Sequence, residues 1–166
     1  MRADDALINL LDEEGNVVAQ RLRSQIDKKK AILKTVYILV VDKAGQVFVT
    51  EPKGTVFGNQ YGCSAAGIVR QGETVLEAAK RTLEREVGLS VEPVFLGEEF
   101  HDFGGIKRFM NVFYLRTDKE LKVNENDVGR GFWIAIERVE KESGKFYPTF
   151  LASFKLLKEQ LKEINV

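Results

Sequence analysis

The sequence predicts a mixed α+β fold, and three observations carry that prediction. Extended segments come in pairs around glycine turns rather than alternating one by one with helices, which favours a largely antiparallel sheet. From Thr74 to Val87, Val75, Ala78, Ala79, Leu83 and Val87 recur at spacings of three and four, and Gly88 follows as a stop. A second amphipathic pattern begins near Pro148 and places Phe150, Leu151, Phe154, Leu157 and Leu161 on one side. At 166 residues the chain has the length of one domain, 1–166, with two or three helices covering the sheet.

Taken in order, Ala6 to Asp12 and Val17 to Leu22 flank the turn Glu13 to Asn16 and predict an N-terminal β-hairpin. Ser24 is placed to cap a short helix through Lys28, Lys29 and Lys30, so residues 1–30 read as a hairpin plus a short helix. The three lysines suit a solvated helix face. Thr35 to Val41 is a β-branched and aromatic run, turned by Asp42 to Gly45 into Gln46 to Thr50; its first strand is expected to be central. Between Pro52 and Gly67, the glycines 54, 58, 62 and 67 predict a loop ending in a short strand, Cys63 to Ala66. The part from Gly58 to Gly67 is expected to cross the N-terminal end of the 74–87 helix. Further strands are predicted at Val91 to Phe100, Arg108 to Thr117 and Gly131 to Ile136, with a turn at Asp102 to Gly105.

Composition excludes several classes. A single cysteine excludes a disulfide scaffold, and a single histidine excludes a multi-histidine metal site, so any metal would be held mainly by oxygen. Lys+Arg and Asp+Glu balance at 25 each, which removes the generic attraction to a polymeric nucleic acid. The longest apolar run, Val36 to Val41, is too short to span a bilayer, and the start Met1 to Asp5 is acidic; both predict a cytoplasmic protein. Neither a G-x-G-x-x-G nor a G-x-x-x-x-G-K-[ST] motif is present.

The stretch 67–89 carries the chemistry. Gly67, Glu73, Arg81, Leu83, Glu86, Gly88 and Leu89 stand at the spacing G-x5-E-x7-R-E-U-x-E-E-x-G-U, where U is aliphatic. This segment resembles the signature of the Nudix superfamily, with Thr82 and Arg85 replacing two of its three central acidic residues. Residues 12–19, the strand Tyr37 to Val41, the run Asn124 to Val128 leading into Phe132 to Ile134, and the closing helix are similar to the subgroup related to isopentenyl-diphosphate isomerase. The resemblance implies an α/β/α sandwich around a mixed sheet, Mg²⁺ or Mn²⁺ as cofactor, and cleavage of a diphosphate joined to another group, most often in a nucleotide.

The spacing has its own physical meaning. Positions 82, 85 and 86 lie on one helix face, where three carboxylates can hold hard cations that bridge a diphosphate. Here that face would present Thr82, Arg85 and Glu86, and Glu84 falls on the opposite side. Glu86 is therefore either a metal ligand or an ion-pair partner of Arg85, since a lone desolvated carboxylate is strongly unfavourable. By the resemblance, Glu73 either joins a metal or braces Arg81, and Glu125 or Asp127 supplies a late loop carboxylate. Lys53, Arg70 and Arg85 are the candidates for phosphate contact. The candidate catalytic set is Glu86, Glu73 and Arg81, and the candidate metal set is Glu86, Glu73, Glu125 and Asp127.

Cys63 among small residues suits core packing, His101 beside Asp102 has a smaller claim as a general base, and Trp133, Phe109, Phe113 and Phe146 suit the core. Three functions compete. The first is a Nudix hydrolase of nucleoside diphosphate derivatives, slowed or altered by the two replacements. The second is a non-catalytic Nudix fold binding a nucleotide or protein. The third is an isomerase, which lacks its histidines here and would find Ala66 where its cysteine belongs. The expected partner is a small-molecule diphosphate; a homodimer is compatible with the sequence, and a membrane partner is not expected.

Overall fold

The computed structural model describes residues 5–52, 60–126 and 128–164. The N-terminal hairpin joins β1 (Leu7–Leu11) to antiparallel β2 (Val17–Leu22), turned at Gly15, whose φ of 87° is open to a glycine. The main sheet has the order β6 (Val94–Phe103), β7 (Ile106–Arg116), β3 (Leu33–Val41), β4 (Gln46–Pro52), β8 (Val128–Ala135). The short β5 (Ala65–Ile68) also pairs with β3. Among the described strand pairs, only β3–β7 is parallel, from Leu33 opposite Arg108 to Val41 opposite Arg116.

Because β3 is buried on both faces, its alternating side chains feed two cores. Val36, Ile38 and Val40 pack with Ala78, Ala79, Leu83 and Val87 of α1 (Val75–Val87). Tyr37, Leu39 and Val41 pack with Phe150, Phe154 and Leu157 of α3 (Pro148–Ile164). The result is the helix–sheet–helix sandwich that the signature implies. No helix among the described residues is long and apolar enough to cross a membrane.

Several expectations need correction. The lysine run is not helical. A single 3-10 turn covers Arg23–Gln25, and Asp27 then closes a tight turn by accepting the Lys29 N–H at 3.0 Å. The largely buried Arg108 guanidinium fixes that turn from beneath, donating to the carbonyls of Lys28 (2.7 Å) and Ala31 (3.0 Å). Ser24 binds Asp5 instead of capping a helix. The sequence also misses α2 (Ile136–Lys141), a helix too short to show a period, with Val139 as its one buried residue. The short strand lies at Ala65–Ile68, two residues later than expected.

Candidate active site

Two local signals define α1. Thr74 caps its N-terminus by accepting the Glu77 N–H at 3.1 Å, and Gly88 ends it in the left-handed region at φ 71°. The buried stripe of Ala78, Ala79, Thr82, Leu83 and Val87 seats the helix on the sheet, and β5 runs alongside it. The described part of the 58–67 stretch does not cross the helix's N-terminal end. It brings Ala66 against Glu86, at the C-terminal end, because β5 is held there by pairing with β3. Gly58 lies outside the described residues, as do Gly54, Lys53 and Asp127.

Glu73 and Arg81 form a closed clamp. Arg81 donates from Nε to Glu73 Oε2 at 2.7 Å and from Nη2 to Glu73 Oε1 at 2.9 Å and to the Ile68 carbonyl at 3.0 Å. The Arg70 backbone N–H adds a bond to Glu73 Oε1 at 3.0 Å. Burial alone would raise the Glu73 carboxyl. The bonds from Arg81 and Arg70, and the charges of both arginines, outweigh it and hold the group below the usual carboxylate range.

The other end of the motif is built differently. Glu86 Oε1 accepts the Ala66 backbone N–H at 2.9 Å, so the carboxylate caps the outer side of β5, a role the spacing alone does not suggest. Thr82 is not presented to solvent. It is 2% exposed and packs so tightly on Gly67 that a Cβ built there would lie 2.6 Å from Thr82 Oγ1. That hydroxyl has no hydrogen-bond partner, a condition that costs about 1–3 kcal/mol in a buried group. Glu84 is exposed on the far side of the helix.

Around these residues lies a cleft of about 90 Å³, several times the roughly 10–15 Å³ that one water needs on this measure. Arg23, Arg70, Arg81 and Arg85 line it together with Thr82 and Glu86. Ala6 and Ile8 at the N-terminal hairpin and Ala66, Gly67 and Ile68 of β5 complete the lining. The lining thus sets four guanidinium groups against Glu86 and, behind Arg81, Glu73. Of the residues predicted from sequence, the structure brings together Glu86, Glu73, Arg81, Arg70 and Arg85. Glu125 stands on a separate loop whose backbone reaches α1, with Asn124 N–H bonded to the Glu86 carbonyl at 2.9 Å. Arg23 was missed because it stands in the 3-10 turn just after the hairpin, some sixty residues away in sequence, and only tertiary contact places it here.

Cys63 belongs to the core under α3, and burial pushes its thiol up to about 12, far from a reactive thiolate. His101 sits on the outer strand β6, 3.1 Å from Glu99 and stacked on Phe103. Phe113 and Phe146 are core, Trp133 packs edge-on to Phe48 at 5.2 Å, and Phe109 pairs with Phe100 at 4.9 Å.

A strand–turn–helix segment bearing Gly67, Glu73, Arg81 and Glu86 at these offsets, in a sandwich of this topology, defines a Nudix-type protein. The sequence matches the NUDIX domain over residues 31–154, and the chain belongs to that family. An uncharacterised Nudix hydrolase of Yersinia pestis is 26% identical over 153 residues, covering 90% of this chain and 84% of that protein. Two solved structures share the fold. A Deinococcus radiodurans protein superposes with a TM-score of 0.71 at 22% identity, over 92% of this chain and 98% of its own. The NUDIX domain of Shewanella oneidensis NrtR, complexed with ADP ribose, gives 0.67 at 14% identity, over 83% and 95%.

The described residues do not fit a preformed divalent-metal centre. Glu86 is the one carboxylate on the 82–85–86 face, it shares that face with a guanidinium, and among the described residues no three His, Cys, Asp or Glu side chains converge. A dication needs several anionic or neutral oxygens.

Proposed function

We propose that this Nudix-family hydrolase cleaves the diphosphate of a nucleoside diphosphate derivative, and does so slowly. The observation that supports this reading is the arginine-lined cleft with Glu86 at its edge. Guanidinium groups match phosphoryl oxygens bidentately, and charge that develops on those oxygens during hydrolysis is stabilised by donors already in place. Arg70 and Arg85 take the phosphoryl oxygens. Glu86, oriented by the Ala66 N–H, takes the proton of the attacking water. Glu73 and Arg81 position rather than react, since their bonds are spent on each other and on the Ile68 carbonyl. The ADP ribose bound by a protein of the same fold makes that compound the first substrate to try. Mg²⁺ or Mn²⁺, the cofactor the family resemblance implies, would bind only together with substrate, whose oxygens supply the ligands that positions 82 and 85 do not.

A second reading, a binding module without turnover, is favoured by the loss of two carboxylates. Chromatographic detection of nucleoside monophosphate from ADP ribose and a nucleoside diphosphate panel, with Mg²⁺ or Mn²⁺ present, separates the two. Turnover that Glu86→Gln abolishes is expected; calorimetric binding of the same panel without turnover would favour the module.

A further inference from the structure

We propose that Ser64 is a positioning residue for hydrolysis: its hydroxyl, lodged between β3 and β4, fixes β5 so that the Ala66 N–H holds Glu86 in place for the proton transfer. The inference rests on the role of Glu86 proposed above and adds to it the residue that sets its place. β3 and β4 pair at Val41 opposite Val47. One step on in that register, Val40 would face Phe48 and bond to it. The buried Ser64 hydroxyl takes that bond instead, accepting the Val40 N–H at 2.9 Å and donating to the Phe48 carbonyl at 2.6 Å. Past this point the 62–68 segment enters the fork between the two strands. Gly62 exchanges main-chain bonds of 2.8 and 3.1 Å with Thr50 of β4, and the Thr50 hydroxyl donates to the Cys63 carbonyl at 2.7 Å. β5 then pairs with β3, from Ala65 opposite Ile38 to Ile68 opposite Thr35.

A hydroxyl both accepts and donates, so this one side chain satisfies two buried main-chain groups at once. Without it, the Val40 N–H and the Phe48 carbonyl would be left bare or would bond to each other. Bare buried groups are costly, so the fork would close by one rung. Closing it moves the point from which β5 starts, and Ala66 lies only two residues further on. The Ala66 N–H is the group bonded to Glu86 Oε1 at 2.9 Å, and a small displacement of a proton acceptor is costly in rate. Glu73 is held by Arg81 and by the Arg70 N–H, beyond the other end of β5, and its place does not depend on the fork.

Amide NMR of the full-length protein, beside steady-state kinetics on ADP ribose, tests this with Ser64→Ala, Ser64→Cys and a packing control, Val139→Ala, whose side chain is buried on α2 in the core that α3 covers. Glu86→Ala marks where the Ala66 amide proton resonates when its carboxylate is absent. Ser64→Ala is expected to move that proton most of the way to the mark and to leave the Arg70 amide proton in place. It should lower kcat about tenfold with KM unchanged, as the loss of an interaction made only in the transition state does. Ser64→Cys, close in volume but weaker as donor and acceptor, is expected to fall between, and it carries the comparison if Ser64→Ala does not fold. Val139→Ala should lower the unfolding midpoint and move neither readout. An Ala66 resonance that stays put in the Ser64 variants overturns the inference, as does a shift without loss of kcat, or equal shifts at Ala66 and Arg70. If wild type fails to cleave ADP ribose while Ala66 responds as expected, the proposed hydrolysis fails and the placing of Glu86 by Ser64 stands. If wild type cleaves it and the Ser64 variants match its rate, the hydrolysis stands and the inference fails.

Discussion

At Glu73 three N–H groups converge on one carboxylate; at Thr82, next to the arginine that supplies two of them, the hydroxyl has none. Glu73 is half-buried just ahead of α1, whereas Thr82 lies on α1, fully buried against Gly67 of β5. The clamp ties the 68–73 segment to α1. On the 82–86 face the contacts to β5 are a single main-chain hydrogen bond to Glu86 and the packing of Thr82 on Gly67, while Leu83 and Val87 seat that end of the helix in the core. A motif can thus lose its acidic face while its scaffold half stays intact, and the two halves should respond differently to substitution.

The largest effect is expected at the reactive half. Glu86→Gln keeps an oxygen to accept the Ala66 N–H but loses the proton acceptor, so hydrolysis should fall by about 10²–10⁴-fold with little change in the unfolding midpoint. Steady-state kinetics beside a thermal melt checks both. An unchanged rate would break the division and move attention to Glu125, Asp127 and His101.

Next in size is the double change Thr82→Glu with Arg85→Glu. Thr82 makes no hydrogen bond that a glutamate would break. Restoring a three-carboxylate face with Glu86 should raise Mg²⁺ affinity, followed by calorimetry, and increase hydrolysis on the order of hundredfold. A variant that folds and gains neither would show that the 82–86 face is not a metal site missing two ligands.

The sequence discloses the scaffold half better than the reactive half, for physical reasons. The Thr74 cap, the apolar stripe and the Gly88 stop are local, and so α1 is legible to within a residue. The β6–β7 hairpin is legible through its Gly104–Gly105 turn, though both strands are offset by two or three residues, since the register is fixed across the sheet and includes a bulge between Phe95 and Gly97. The parallel pairing of β3 with β7, over seventy residues away, leaves no local trace. The lysine run misleads because Asp27 and the buried Arg108 override its helical propensity. In the site, spacing finds the residues on α1 and the Glu73–Arg81 relation. It does not find Arg23, or the main-chain role of Glu86, or the burial of Thr82, all of which depend on where β5 and the hairpin settle.

A smaller effect sharpens the packing side of the comparison. Gly67→Ala would drive a methyl into the Thr82 hydroxyl on a stiff, β-branched side chain, and should cost about 2 kcal/mol, lowering the unfolding midpoint by roughly 4–8 °C. Adding Thr82→Ala removes the obstructing atom without breaking a hydrogen bond and should recover most of that loss. Equal melting losses in the single and double variants would place the constraint at Gly67 elsewhere than in this contact.

The smallest effect belongs to the clamp and is visible through pH. Because the folded-state Glu73 carboxyl is held below its ordinary value of 4.5, the clamp's charge contribution is fully present above that value and is lost as the pH falls through the lower folded one. Glu73→Gln cannot titrate and offers Arg81 one neutral oxygen in place of two charged ones. It should destabilise by about 1.5 kcal/mol at pH 7, within the range for hydrogen bonds to charged groups. The gap between wild type and variant should stay constant from pH 7 down to about pH 5, then narrow below pH 4.5 as wild type takes up the proton the variant never binds. Denaturant unfolding at several pH values measures that gap directly. A gap of the same size at pH 3 and pH 7 would mean that the clamp holds through shape and neutral hydrogen bonds, and that the contrast between charged and orphaned halves of the motif is not electrostatic.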